Sequence, residues 1–197
     1  KAINDYPKAK GVFITSPSYY GICSDVEAIA QIVHRHGKIL LVDEAHGAHF
    51  YFHEGLPKGA LQAGADICVQ SAHKTLPALT QSSLLHLNSD RIDEKRLKGC
   101  LKMFQTSSPS YILMAFLDAA VAMMEEEGHA ALERLISDID GLRYFLRDND
   151  YIYCLSNEIV NSDFIYQFDP TRIVINFKNA DVTGYEVAEG LNLRYDI

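Results

Sequence analysis

Apolar residues along this chain fall into two alternating kinds of run. Short unbroken runs appear at Val12–Ile14, Ile39–Val42, residues 65–71 (ADICVQS) and residues 82–88 (SSLLHLN). Each is bounded by Ser, Pro, Gly or a charge, as expected of strands buried in a sheet. Between the first two lies SDVEAIAQIVHRHG, where Val26, Ile29, Ala30 and Val33 recur at helical spacing and Gly37 closes the pattern. Ser24 is the expected N-cap, with Glu27 as its capping-box partner. Strand, helix and strand joined by short links predict a mostly parallel sheet in an α/β layered fold.

Beyond residue 90 the pattern turns helical. Residues 89–102 predict a charged helix, and a long apolar helix starts near Ser108-Pro109. An amphipathic helix follows, with apolar residues at Leu132, Leu135, Ile136, Ile139, Leu142, Phe145 and Leu146. Residues 169–177 (DPTRIVINF) predict another strand and residues 181–191 a short helix. The compositional shift near 150 divides residues 1–150, part of a major domain, from 151–197, the start of a smaller one. The chain opens in a polar helix end and closes on LNLRYDI, an apolar–polar alternation. It therefore reads as the middle of a longer protein.

A net charge of −8 disfavours nucleic-acid and anionic-lipid surfaces. No apolar run reaches the length of a membrane span. The four cysteines are scattered without a CxxC pair, which predicts reduced core residues and a cytoplasmic setting.

Three clusters carry candidate chemistry, at predicted strand ends where open α/β sheets bind ligands. Asp43-Glu44-Ala45-His46-Gly47-Ala48-His49 follows the second strand. Asp43 there is a carboxylate in the crevice or a helix cap. A metal site from His46, His49 and His53 is disfavoured, because the loop offers no face that presents them together. Ser71, His73, Lys74 and Thr75 follow the third strand. Lys74 is either an ordinary loop lysine or one whose partly buried, neutral amine attacks a carbonyl, with Ser71 and His73 available to a phosphate. Residues 105–110 (QTSSPS) suit an anion or a simple N-cap. Asp43 and Lys74 together fit pyridoxal phosphate, which takes a lysine on its aldehyde and an acid on its ring nitrogen.

Residues 41–57 (LVDEAHGAHFYFHEGLP), 64–88 (GADICVQSAHKTLPALTQSSLLHLN) and 106–120 (TSSPSYILMAFLDAA) resemble, in order, the major domain of the Orn/Lys/Arg decarboxylase family. These are fold-type-I pyridoxal-phosphate enzymes that decarboxylate basic amino acids at dimer interfaces. The resemblance implies Lys74 as the Schiff-base lysine and Asp43 as partner of the pyridine nitrogen. It places Ala45 against the ring, His46 beside the cofactor, and Ser71 and His73 at the phosphate. Thr106 to Ser108 would reach a neighbouring subunit in a homodimer or higher homo-oligomer. The family's upstream phosphate loop and ring-stacking residue have no counterpart in this sequence, so weak cofactor binding and little activity are expected of the chain by itself. Two rival readings remain: LVDEAH as a DEAH-type helicase box, with SAH at 71–73 as a second motif, and a non-catalytic remnant of the fold.

Overall fold

The computed structural model describes residues 1–161 and 165–196. A single helical turn, α1 (Ala2–Asp5), leads into β1 (Gly11–Thr15) and the two-residue β2 (Ile22–Cys23). Helix α2 (Val26–Arg35) and β3 (Ile39–Asp43) complete the first crossover unit. A loop with one 3-10 helix (Ala48–Phe52) then reaches β4 (Ile67–Gln70). β4 is followed at once by the four-residue α3 (Ala72–Thr75) and by β5 (Leu84–Leu87).

The main sheet has the order β1-β3-β4-β5. β1, β3 and β4 are parallel, with Thr15 beside Asp43 and Asp43 beside Val69. β5 runs antiparallel to β4, with Gln70 beside Leu84. The run at 82–88 is thus a strand, but the link before it holds only α3. One helical turn cannot carry the chain back across the sheet, so β5 folds back beside β4.

Alternate residues of each strand face opposite sides. Leu40, Val42 and Cys68 are fully buried against Val26, Ala30 and Val33 of α2. The opposite face is more open: Phe13 is 66% exposed, and Val69 and Leu85 are exposed too. β1 was expected to be buried on both faces; Phe13, like Val69 of the interior strand β4, lies on the more open face of the sheet. The cap of α2 also differs by one residue. Asp25 accepts the amide of Ala28 at 2.9 Å, a stronger acceptor than Ser24, and Glu27 instead pairs with Lys58 at 2.7 Å.

Helix α4 (Glu94–Phe104) is capped by Asp93, which accepts from Lys95 and Arg96. The two helices expected beyond it are one, α5 (Tyr111–Leu146), with Ser110 as N-cap. Gly128 does not interrupt it, being buried under Met124. Leu132, Ile139 and Leu146 of the predicted stripe are buried, whereas Leu135, Leu142 and Phe145 stay exposed.

Past α5, β6 (Tyr153–Cys154) pairs with β8 (Ile175–Asn176), and β7 (Gln167–Phe168) pairs with β2. The strand expected over 169–177 is shortened to β8 at Ile175–Asn176, with a turn at residues 170–171 before it. The Asp169 carboxylate accepts the amide of Thr171 at 2.9 Å and its hydroxyl at 2.7 Å, bending the chain back locally. Helix α6 (Gly184–Tyr195) opens on a Thr183–Glu186 capping box and carries the short helix expected over 181–191 on through LNLRY. No helix among the described residues is long and apolar enough to cross a membrane.

Candidate active site

Asp43 ends β3 on the open side of the sheet, and one of its oxygens accepts the Ala45 amide at 2.9 Å. That bond sets the sharp departure of the chain from the sheet edge. Glu44, the next residue, turns to the covered face and is 1% exposed. It accepts from the Ala60 amide (2.7 Å), Gln70 (2.7 Å), the Tyr51 hydroxyl (3.0 Å) and the Cys68 thiol (3.2 Å). Burial outweighs these four donors and raises the Glu44 pKa. Burial followed by the Glu44 charge pushes the Tyr51 and Cys68 groups up as well.

Lys74 lies in α3, directly past the end of β4 and so at the same edge of the sheet as Asp43. Its amine is exposed and sits 3.3 Å from His46 Nε2. On the other side of the imidazole, Arg172 Nη2 lies 3.3 Å from His46 Nδ1 and 3.3 Å from the His46 carbonyl oxygen. Tyr19 meets the ring edge-on at 5.4 Å. Burial, then Lys74, then Arg172 lower the His46 pKa, with Asp43 opposing them. Asp43 and Lys74 thus both lie close enough to His46 to act on its charge.

Arg172 and Tyr19 were not predicted. Arg172 reaches the site from the turn that precedes β8, and D-x-T at 169–171, an Asx-turn pattern, is the signal that locates it. Asp169, fully buried, lies 3.6 Å from Arg172 Nε and 3.2 Å from His49 Nε2. Burial raises its pKa, but His49 and Thr171 together hold it below its ordinary value.

Ser71 precedes α3, and its hydroxyl makes no capping bond. His73 Nδ1 lies 2.9 Å from the Ser82 carbonyl, which ties α3 to the segment leading into β5. Ala45 is half-buried between Asp43 and His46. Thr106, Ser107 and Ser108 are all exposed in the α4–α5 link.

The three closely spaced histidines diverge. His46 faces Lys74, His49 faces Asp169, and His53 donates to Glu133 at 2.7 Å while its Nδ1 accepts the Gly55 amide. His53, Glu54 and His129 place ligand-type atoms within 4.8 Å of one another. His129 is nonetheless bonded to Glu54 at 2.9 Å, and both ring nitrogens of His53 are engaged.

The residues present fit pyridoxal phosphate. An accessible amine and a strand-end carboxylate share one edge, and the buried hydroxyls Thr75 Oγ1 and Ser82 Oγ have no hydrogen-bond partner among the described residues. Unpaired buried hydroxyls next to Lys74 and His73 suit an oxygen-rich ligand.

Fold and site define an α/β protein with a mostly parallel sheet and with Asp43 and Lys74 at its carboxyl edge. Residues 1–188 match the Orn/Lys/Arg decarboxylase major domain. The chain belongs to that family. It is 37% identical over all 197 residues to an arginine decarboxylase of Bacillus anthracis and spans 40% of that protein's length. Its fold matches the lysine decarboxylase LdcF of Francisella novicida with a TM-score of 0.73 and 26% identity, covering 95% of this chain and 31% of that one. An alanine–glyoxylate aminotransferase of Nostoc also superposes at a TM-score of 0.73, over 100% of this chain and 53% of the other, at 18% identity. That likeness concerns the fold.

Proposed function

We propose that this chain carries the cofactor-binding core of a pyridoxal-phosphate-dependent decarboxylase acting on a basic amino acid, arginine, lysine or ornithine. The observation that carries the reading is the Lys74 amine beside His46 at the same sheet edge as Asp43. Bound there, the cofactor supplies an electron sink for the electron pair left when carbon dioxide departs. Lys74 offers the amine that holds the cofactor's carbonyl carbon. The Asp43 carboxylate would stabilise a proton on the ring nitrogen, its other role being to orient the Ala45 amide. Ala45 and His46 supply neighbouring surface to the ring, and Ser71 and His73 hold the phosphate. Because the chain spans two fifths of its arginine decarboxylase relative, substrate contacts outside it belong to the same proposal.

A homodimer or higher homo-oligomer in the cytoplasm completes the reading. The exposed hydroxyls of Thr106, Ser107 and Ser108 and the exposed apolar side chains Tyr111, Ile112 and Phe116 at the start of α5 support it. The helicase reading loses its acid, since Glu44 is buried and filled by four donors.

Incubation with pyridoxal phosphate, borohydride reduction and peptide mapping tests the proposal. Label is expected on Lys74 and is lost in Lys74→Ala with the fold intact, because the side chain is exposed. Absence of label on the wild-type chain would sink the cofactor reading and favour the non-catalytic remnant.

A further inference from the structure

His129 and Glu133 stand four residues apart on α5, a spacing that puts both on one face of the helix. Opposite them, the chain leaving the 3-10 helix at Ala48–Phe52 presents His53 and Glu54. The four groups cross-pair between loop and helix. His53 Nε2 lies 2.7 Å from Glu133 Oε2, and His129 Nε2 lies 2.9 Å from Glu54 Oε2. The two imidazole rings are 4.5 Å apart between centroids, and ligand-type atoms of His53, Glu54 and His129 fall within 4.8 Å of one another.

We propose that His53, Glu54, His129 and Glu133 form a site for a divalent transition cation of the zinc class, which clamps the loop at 53–56 to α5. The proposal is independent of the cofactor reading above. It shares only His53 with the three closely spaced histidines of the sequence; the other imidazole comes from a helix 76 residues further on.

Two neutral imidazoles and two carboxylates match the charge of a dication, and a nitrogen–oxygen set favours Zn²⁺, Co²⁺ or Ni²⁺ over Mg²⁺ and Ca²⁺. A tetrahedral ion with bonds of about 2.0 Å holds its ligand atoms about 3.3 Å apart. Both imidazole–carboxylate pairs already lie inside that spacing, so a cation has only to draw one pair toward the other. Each pair is now bridged by a hydrogen. The Gly55 amide donates to His53 Nδ1 at 3.0 Å, so the hydrogen of neutral His53 lies on Nε2. Coordination through Nε2 moves that hydrogen to Nδ1 and displaces the amide. Gly55 is exposed, so water replaces the lost bond. His129 is 60% exposed, and a hydrogen moved to its Nδ1 meets water directly.

The scaffold is fixed before any ion arrives. Phe50 and Leu56 flank the loop ligands and pack with Leu132, which precedes Glu133 on α5, in one buried cluster. An open cavity of about 710 Å³, lined by His53, Glu54, His129 and a third carboxylate, Glu125, gives an entry path. Lys58 on the same wall is paired with Glu27 at 2.7 Å.

Metal titration of the chelator-stripped chain, without pyridoxal phosphate, tests the site. Co²⁺ is expected to bind at one equivalent with the intense visible bands of tetrahedral cobalt, and Zn²⁺ to displace it. Zn²⁺ should raise the melting temperature as its free concentration rises, whereas Mg²⁺ should not. His129→Ala and Glu133→Gln should each weaken Zn²⁺ binding by more than the roughly 10–100-fold that loss of an outer-shell partner costs. Both side chains are exposed, so the metal-free melting temperature should change little. His36→Ala, at an exposed histidine outside the site, should bind as wild type does. No tetrahedral cobalt spectrum at one equivalent, an equal response to Mg²⁺, or unchanged binding in the His129 and Glu133 variants overturns the proposal.

Discussion

Asp43 and Glu44 are neighbouring carboxylates with opposite fates. Asp43 ends the strand on the open face of the sheet, holds one backbone amide and looks toward Lys74 and His46. Glu44 turns to the covered face and gathers four donors from three separate segments, at Tyr51, Ala60, Cys68 and Gln70. One acid is left available for chemistry, while the other ties the 44–60 loop to β4. The strand's two-residue period alone separates them.

The largest effect that would break the comparison lies at Glu44. Glu44→Ala strands four donors in a dry interior and is expected to cost about 3–5 kcal/mol in urea unfolding. Asp43→Asn is expected to leave the unfolding midpoint almost unchanged while weakening retention of pyridoxal phosphate, measured by dialysis of the loaded chain. If both acids proved equally costly to stability, the division between them would fail.

Charge state sharpens the same contrast. Glu44 has a raised pKa in the folded chain, so the fold holds more protons than the unfolded chain between the ordinary and raised values. Its contribution to stability therefore falls as pH rises through that window. Asp169 has a lowered pKa and acts oppositely: its contribution is present above the ordinary carboxylate value and is lost as pH falls toward the lowered one. Glu44→Gln is expected to remove the first slope from a plot of unfolding free energy against pH and leave the acid-side slope in place.

A smaller effect is expected behind the hub. A Cβ at Gly59 would lie 2.3 Å from the Tyr51 ring, which donates to Glu44. Gly59→Ala should cost about 1–3 kcal/mol by overpacking, read as a lower melting temperature. The smallest belongs to Lys58 and Glu27, an exposed pair at 2.7 Å. Lys58→Ala should change stability by less than about 1 kcal/mol; a larger loss would mean that the surface near the loop is more than a solvated face.

Much of this was legible in the residues themselves. The apolar runs at Val12–Ile14, Ile39–Val42 and 65–71 became the three parallel strands, and Asp43, His46 and Lys74 fell at one edge because strand ends are marked locally. Arg172 was hidden because it lies 126 residues from His46, just ahead of the apolar residues 173–175 that lead into β8. Glu44 looked like part of an acidic motif, since nothing in DEAH says which acid is covered. The extent of α5 escaped because the apolar run before Gly128 and the amphipathic run after it differ in pattern, yet both lie in one helix.

By itself the sequence determined the periodicities, the α/β class and the strand ends that carry Asp43 and Lys74, all of which depend on neighbours close along the chain. Tertiary structure decided the direction of β5, which of two adjacent carboxylates is buried, and which distant arginine meets His46. Those outcomes depend on how much chain is available to cross the sheet and on which face finds cover, and neither quantity is local.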